Sequence, residues 1–219
     1  MVQAEVEVIQ MAQTEQQRVA PVRTGRWTTV GSISGLVGSI VLGTIAIVFH
    51  TGLQLTEGQF ALVNQLGVVA VVLMAPALSV LYLGERHWFG SLARIGYGVM
   101  AGGWVVTAVS LAVFVTGSEV AGLVFPLGVL LTMIGALVFG FTMVRSDDTD
   151  APRLGSWLLI AALPVGLPVS IAYTWYVLGS IDGPWNGPLL VYALAWMVFS
   201  VHLWGKRTAS TEATVDEAV

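Results

Sequence analysis

Few residues of this chain could do chemistry, and they do not form a known catalytic pattern. The 219 residues include 13 acidic, nine basic and three histidine side chains and no cysteine, which excludes disulfides, Cys-ligated zinc and iron–sulfur clusters within the chain. His50 and His202 fall near opposite ends of the predicted helices, so they cannot both ligate one haem. No zinc-protease, serine-hydrolase or phosphate-loop motif is present. We therefore expect no catalytic residue, no metal site, no cofactor and no enzymatic activity.

The richest group of polar side chains falls near one end of the predicted helices. Asn64 and Gln65 lie about a turn inside helix 2, and His50 ends helix 1. Tyr192 lies a turn inside helix 6, and Tyr173 approaches the same level in helix 5. These five side chains could line an outward-facing vestibule for a small polar or cationic solute. The alternative is ordinary interfacial polarity, with the two amides hydrogen-bonded between helices.

The composition places the chain in a lipid bilayer. Hydrophobic residues make up 56% of the sequence and charged residues 10%, and the mean hydropathy is +0.82. A soluble domain of this size cannot bury so much apolar surface, and typical soluble domains have about a quarter of their residues charged. The net charge of -4 provides no basic surface for nucleic acid. These totals exclude a soluble enzyme, a disordered chain and a nucleic-acid-binding module.

Long stretches without a charged residue predict the fold class. A bilayer core about 30 Å thick needs about 20 helical residues. The sequence has six uncharged stretches that are each long enough to cross once and too short to cross twice. We therefore predict an all-α bundle of six transmembrane helices, because lipid offers no partners to unpaired backbone groups. The predicted helices cover about 29–50, 60–83, 95–116, 120–144, 155–179 and 187–204.

The positions of the basic residues predict the orientation. On this helix assignment all of them lie on one side of the membrane: Arg18, Arg23, Arg26, Arg86, Arg94, Arg145, Arg153, Lys206 and Arg207. The loops on the other side carry only Glu57, Glu119 and Asp182. Lysine and arginine are retained on the cytoplasmic side during insertion, so we predict a multi-pass protein of the cell membrane with both termini in the cytoplasm.

Polar tails flank the predicted transmembrane domain of residues 29–205. The N-terminal tail, 1–28, has no apolar core, so we expect no cleaved signal peptide and insertion directed by helix 1. The C-terminal tail, 206–219, is small and acidic, and we expect both tails to be disordered. Lys206 is the only lysine, and this bias toward arginine, together with acidic tails, is typical of salt-loving prokaryotes.

Four segments beside the predicted inner loops resemble a known group of proteins. They are 81–87 (LYLGERH), 92–98 (LARIGYG), 139–145 (FGFTMVR) and 152–159 (PRLGSWLL). They are similar to the corresponding segments of a loose group of small, uncharacterised six-helix integral membrane proteins from bacteria and archaea. The resemblance covers the membrane part of the chain and implies a six-helix bundle. No activity is assigned to that group, so no functional residue is carried over.

Consecutive helices follow a similar plan. Each pair begins with arginine and then glycine, as in Arg94 and Gly96, turns at a single acid such as Glu119, and returns to a basic residue such as Arg145. This rhythm is typical of three consecutive hairpins that repeat one another. The alternative is that any six-helix protein with short loops shows the same rhythm.

Small residues recur at helical spacing and predict the packing faces. Helix association in lipid depends on close approach through small side chains, and residues four apart share nearly one face. The glycines that we expect to face other helices are Gly31, Gly35, Gly43, Gly98, Gly102, Gly128, Gly140 and Gly166. We interpret these faces as the interior of the bundle, and the alternative is the seam of a homodimer.

Proline interrupts helix 5 twice, at Pro164 and Pro168, on either side of Gly166. Each proline removes a backbone hydrogen bond, so we predict the strongest break of the chain here. We interpret it as a structural kink, although transporters also place broken helices at binding sites.

The functional prediction follows from these patterns together. We expect a non-enzymatic structural or accessory membrane subunit, whose partners are the lipid bilayer and either another membrane protein or a second copy of the chain. The alternative is a small-solute transporter or channel that uses the polar vestibule and the broken helix.

Overall fold

Seven helices make up the part of the chain that the structure describes. The structure is a computed structural model that describes residues 25–51, 55–114, 119–179 and 186–216, with the backbone alone for 25, 119 and 207–216. The helices are α1 (Gly25–His50), α2 (Glu57–Glu85), α3 (Ser91–Phe114), α4 (Glu119–Arg145), α5 (Arg153–Ala162), α6 (Gly166–Tyr176) and α7 (Gly187–Asp216). The predicted N-terminal tail up to residue 24, and Asp182 in the last outer loop, lie outside the described residues.

Helix length and composition match a membrane bundle. Five helices are long and apolar enough to cross a bilayer, namely α1 to α4 and the Gly187–Lys206 part of α7. The α5–α6 pair passes the same test as one bent span, which gives six. The prediction of an all-α transmembrane bundle is therefore confirmed.

The break between α5 and α6 lies at the predicted prolines. The two helices are separated by three residues and bent by 55° relative to each other. Pro164 and Pro168 have no N–H to donate to the carbonyls four residues earlier, which removes two bonds from adjacent turns. The neighbouring Val165 and Leu167 still donate to Ala161 and Leu163, at 2.9 and 3.2 Å, so the chain turns without unwinding fully.

The helices form a closed ring in chain order. Each helix packs on the next one along the chain, and α7 packs both on α5 and on α1, which closes the ring. Tyr192, Trp196 and Phe199 of α7 are the largest fully buried side chains, together with Phe139 of α4. The core therefore lies along the inner face of α7 and the helices that surround it.

Glycines lie where neighbouring backbones come closest. A β-carbon at Gly128 of α4 would lie 2.7 Å from the backbone nitrogen of Thr107 in α3. At Gly35 of α1 it would lie 2.5 Å from the Ala77 β-carbon and 2.6 Å from the Ser200 hydroxyl. Only hydrogen fits at such positions, so these contacts fix the distances between helices. Similarly close contacts surround Gly31, Gly140 and Gly166, while Gly43 has ordinary van der Waals contacts with α7.

The packing prediction is wrong for two glycines. Gly98 and Gly102 are exposed, and a β-carbon at either would meet nothing within 4 Å. Helix α3 packs instead through Gly96, against Phe139, and through Gly103, against Thr132. A spacing of four shows that two residues share a face, but it does not show whether that face meets a helix or lipid.

The end of the last helix also differs from the prediction. Helix α7 continues past Lys206 to Asp216, so the irregular tail expected from residue 206 does not begin there. The sequence after Gly205 contains no glycine or proline up to Asp216. Because a helix that is already formed propagates at little cost, such a segment can continue the helix beyond the end of the membrane span.

The packing predicts different effects for glycines on the two kinds of face. We expect Gly128→Leu to lower the free energy of unfolding by about 1–3 kcal/mol, because the leucine must push α3 away. Gly98→Leu, the matched control, should change it by less than about 1 kcal/mol, since its side chain meets lipid and leucine is the better helix former. Thermal unfolding in detergent, followed by tryptophan fluorescence, measures both. Equal melting temperatures for the two variants would contradict the assigned faces.

Candidate functional site

The predicted vestibule residues do not share one pocket. His50 of α1 stacks on Tyr173 of α6 with ring centroids 4.3 Å apart, and its Nδ1 lies 3.3 Å from the Ser170 hydroxyl. The Ser170 oxygen also accepts a hydrogen bond from the backbone N–H of Gly187, at 3.2 Å. This cluster joins α1 and α6 to the first turn of α7, where a helix has unsatisfied N–H groups. The hydrogen bonds of this cluster therefore serve to hold these helices together.

The other three residues point in different directions. Asn64 is 8% exposed and faces the centre of the ring, whereas the adjacent Gln65 is exposed on the outside. Successive helical residues differ by about 100° in direction, so two neighbouring amides cannot face the same side. Tyr192 is fully buried in the core and packs on Trp104 and Trp196, with ring centroids 5.4 and 6.2 Å away.

A cavity of about 300 Å³ lies inside the ring. It is bounded by α1, α2, α3, α4 and the start of α7, and it contains Asn64 but none of the other four predicted vestibule residues. Large apolar side chains form most of its wall: Leu42, Phe49, Phe60, Val71, Leu111, Phe114 and Phe125. Within the described ranges, no charged side chain and no histidine lines it. The geometry therefore provides a largely apolar cavity rather than the polar vestibule that the sequence offered as one of two interpretations.

The cavity occupies one half of the bundle. We call the helix ends near Arg86, Arg145 and Lys206 the basic end, and the other the opposite end. Lining residues of α2 run from Phe60, in its first turn, to Val71, about 16 Å further along the axis. Trp104 of α3 also lines the cavity and packs on Tyr192, so the two rings lie at its inner limit. The cavity thus extends from the opposite end to about the middle of the ring.

Asn64 and Asn186 are the two amide side chains of the cavity wall, and Asn64 is the more deeply buried of the two. The Trp104 indole N–H donates to the Val71 carbonyl at 3.2 Å, and the Thr107 hydroxyl donates to the Gly103 carbonyl at 2.9 Å. No hydrogen bond joins the Asn64 amide to another residue of the described ranges. Its nitrogen and oxygen are not among the fully buried side-chain atoms without a partner, so the amide is accessible from the cavity. The amide is therefore free to bind something in the cavity.

Further polar atoms of α7 are buried between the cavity and the basic end. Within the described part of the chain, the Tyr192 hydroxyl, Trp196 Nε1, Ser200 Oγ and His202 Nε2 have no hydrogen bond of normal geometry. Tyr192 and Trp196 are close enough to interact electrostatically. The first three residues are spaced by four and share one face of α7, which makes this face more polar than the core around it.

An acidic residue that the sequence analysis left outside the helices is the centre of the basic end. Glu85 is the last residue of α2 and only 2% exposed. Its Oε2 accepts hydrogen bonds from Trp88 Nε1 at 2.8 Å and Thr149 Oγ1 at 2.9 Å. Its Oε1 accepts from the Lys206 ammonium at 3.1 Å. We call these four residues the Glu85 clasp, which joins α2, the α4–α5 connection and α7.

Aromatic rings fill the space between α2, α3 and α4 next to the clasp. Phe89 packs edge-on against Tyr82 at 5.5 Å and against Phe139 at 5.2 Å. Tyr97 packs on Tyr82 at 4.8 Å, and its hydroxyl donates to the Leu78 carbonyl at 3.1 Å. Trp88, a clasp residue, stacks on Phe139 at 6.2 Å. The basic end is thus densely packed, in contrast with the hollow opposite half.

The clasp could have been found from the periodicity of α2. Met74, Leu78, Leu81 and Glu85 follow one another at spacings of three and four, and all four are buried. Extending the apolar stripe of helix 2 by one turn therefore leads to Glu85. The helix predicted from the sequence ends at residue 83, because the charged residues that follow are typical of a loop.

In the described ranges, no three His, Asp or Glu side chains come together in a way that could hold a metal ion. The arrangement can bind a molecule in the cavity and can hold the basic end closed. In comparisons with known proteins, no family model, no curated protein and no solved structure matches the chain.

The clasp predicts unequal roles for the two acids that Lys206 contacts. Glu85→Gln should lower the free energy of unfolding by about 1.5–3 kcal/mol, because an amide cannot accept from donors at both of its ends. Asp150 also contacts Lys206, at 3.4 Å, but its side chain is 79% exposed. Asp150→Asn should therefore cost less than about 1 kcal/mol. Thermal unfolding in detergent measures the difference, and an equal loss in both variants would contradict the clasp.

The free amide in the cavity predicts a stabilising substitution. Asn64→Leu should raise the free energy of unfolding of the ligand-free protein by up to about 1 kcal/mol, because it removes an unpaired polar group from a largely apolar cavity and keeps the volume. Gln65→Leu, on the outer face, serves as the control and should have little effect. Chemical unfolding of the detergent-solubilised variants measures both. A less stable Asn64→Leu variant would show that the amide has a partner in the folded chain.

Proposed function

We propose that this chain is a multi-pass protein of the cell membrane, with both termini in the cytoplasm, that serves as a non-enzymatic structural or accessory subunit. The observation that carries the proposal is the Glu85 clasp. It ties α2, the α4–α5 connection and α7 together at a buried carboxylate. A group with this burial and these partners supports a fixed arrangement of helices.

The orientation rests on the distribution of charge. Arg26, Arg86, Arg94, Arg145 and Arg153 are all exposed and belong to the basic end. Basic residues at one end favour cytoplasmic retention of that end and contact with anionic headgroups. The proposal therefore places the clasp at the cytoplasmic surface and the cavity in the outer half of the bilayer.

A projecting helix supports a role as a subunit. Helix α7 continues ten residues beyond Lys206 to Asp216, which corresponds to about 15 Å of helix. The sequence of this extension is polar and contains threonine, serine, glutamate and aspartate. A helix of polar sequence that continues beyond the clasped end is available for binding a second protein.

The alternative of a solute transporter has weaker support. Alternating access would require the basic end to open, and this end is held by the clasp and by packed aromatic rings. A polar or cationic solute would also meet a mainly apolar cavity wall, in which the described residues place no charged side chain. The geometry favours a protein that binds and holds over one that conducts.

The subunit role predicts a stable complex in the native membrane. Mild extraction followed by native mass spectrometry should find the 23.2 kDa chain with a partner at fixed stoichiometry. A variant that ends after Arg207 should lose the partner and keep the melting temperature of the full chain, because the clasp is intact. An isolated chain that conducts a solute in proteoliposomes would contradict the proposal.

Reporter fusions at Arg86 and Arg145 should read as cytoplasmic, and fusions at Glu57 and Glu119 as external.

A further inference from the structure

We propose that the cavity in the opposite half of the ring binds one neutral, largely apolar molecule that carries a single hydroxyl or carbonyl group. This inference is independent of whether the chain is an accessory subunit. It rests on the volume and lining of the cavity and on the free Asn64 amide.

The volume sets the size of the ligand. An apolar cavity of about 150 Å³ accommodates benzene, and ligand sites in proteins begin at about 300 Å³. A cavity of about 300 Å³ therefore takes about twelve non-hydrogen atoms. An alcohol of about ten carbons, or a segment of a longer lipid of that size, fits this volume.

The lining sets the chemical class. Phenylalanine side chains from three different helices, Phe49, Phe60 and Phe114, form a continuous wall in which Phe60 packs edge-on against both others at 5.9 Å. Among the residues that the structure describes, no Lys, Arg or His side chain reaches the cavity to pair with an anion, and no Asp or Glu to pair with a cation. An ionised group would be desolvated there without compensation. The ligand must therefore be neutral.

Asn64 supplies a polar contact from a buried residue, and the half-buried Asn186 is the other amide of the lining. The Asn64 amide offers both a donor and an acceptor, so it can bind either a hydroxyl or a carbonyl. The indole N–H of Trp104 and the hydroxyl proton of Thr107 are already used in helix hydrogen bonds. A largely apolar site with two amides, one of them on a buried residue, resembles ligand pockets in general, where few polar groups fix the orientation.

Gly67 leaves room for the ligand. It lines the cavity between Asn64 and Val71 on α2, and a β-carbon there would meet only the Leu111 side chain, at 3.2 Å. Other buried glycines, such as Gly128, face the backbone of a neighbouring helix at close range. A larger side chain at Gly67 would enter the cavity with little disturbance of the helices around it. This residue therefore offers a way to fill the site.

Photolabelling tests the site directly. The full chain in nanodiscs of zwitterionic lipid is labelled with a diazirine derivative of octan-1-ol, and the labelled residues are mapped by mass spectrometry. We expect labels on cavity residues such as Leu42, Val71 and Leu111. Decan-1-ol should compete at about fivefold lower concentration than decane, which corresponds to one net neutral hydrogen bond. Decanoate should compete least, because its carboxylate would be buried without a partner.

Two variants and their controls separate site binding from partition into lipid. Gly67→Leu should abolish labelling of the cavity, while Gly102→Leu, on the lipid-facing side of α3, should retain it. Asn64→Leu should label normally but lose the difference between decanol and decane, and Gln65→Leu should keep that difference. If Gly67→Leu fails to fold, the relative strength of decanol, decane and decanoate as competitors, compared between the wild type and Asn64→Leu, still tests whether the cavity is a specific site.

Labels confined to lipid-facing residues, unchanged cavity labelling in a folded Gly67→Leu variant, or decanoate as the best competitor would overturn the proposal. Solvent extraction of the purified wild type and of Gly67→Leu identifies the source of the bound molecule. A neutral hydroxyl- or carbonyl-bearing lipid found only with the wild type indicates a membrane lipid, and competition by decanol with no such lipid indicates a free amphiphile.

Discussion

Close approach of helix backbones is the constraint on which this bundle depends. Lipid chains are as apolar as leucine, so burying leucine between helices gains little, and packing contacts must hold the ring together. Gly38 of α1 lies against the Ala70 carbonyl of α2, Gly135 of α4 against Met100 of α3, and Gly140 of α4 against the Ser156 carbonyl of α5. Gly166 then brings α6 against Pro188 at the start of α7. These contacts fix both the order and the spacing of the helices.

The cavity and the clasp follow from where such contacts are absent. Helices α2 and α3 meet over a smaller surface than α3 and α4 do. Toward the opposite end their interface carries Phe60 and Phe114, which keep the helices apart and leave a hollow. Toward the basic end the same gap is filled by Tyr82, Phe89 and Tyr97. A buried carboxylate is tolerated beyond these rings because an ammonium and two neutral donors surround it.

The sequence predicts the helices better than it predicts the functional groups. Absence of charge predicts the spans, and Pro164 and Pro168 predict the break, because both signals act locally on the backbone. The face that a helix presents depends on its neighbours, so Gly98 and Gly102 were assigned to packing although Gly96 and Gly103 make the contacts. For the same reason the five vestibule residues share a depth in the sequence pattern but not a pocket. Of these five, only Asn64 lines the cavity.

Closure of the ring by α1 and α7 is the most direct test of this account. A β-carbon at Gly43 would lie 3.6 Å from that of Ala193, within the range of about 3.5–4.5 Å that a disulfide requires. The chain has no cysteine, so a Gly43→Cys/Ala193→Cys variant has no competing thiol. Mild oxidation in the membrane, followed by thiol labelling and intact mass, should show an intramolecular disulfide. Gly43→Cys/Leu194→Cys should remain reduced. Free thiols in the first pair, or equal oxidation of both pairs, would contradict the closed ring.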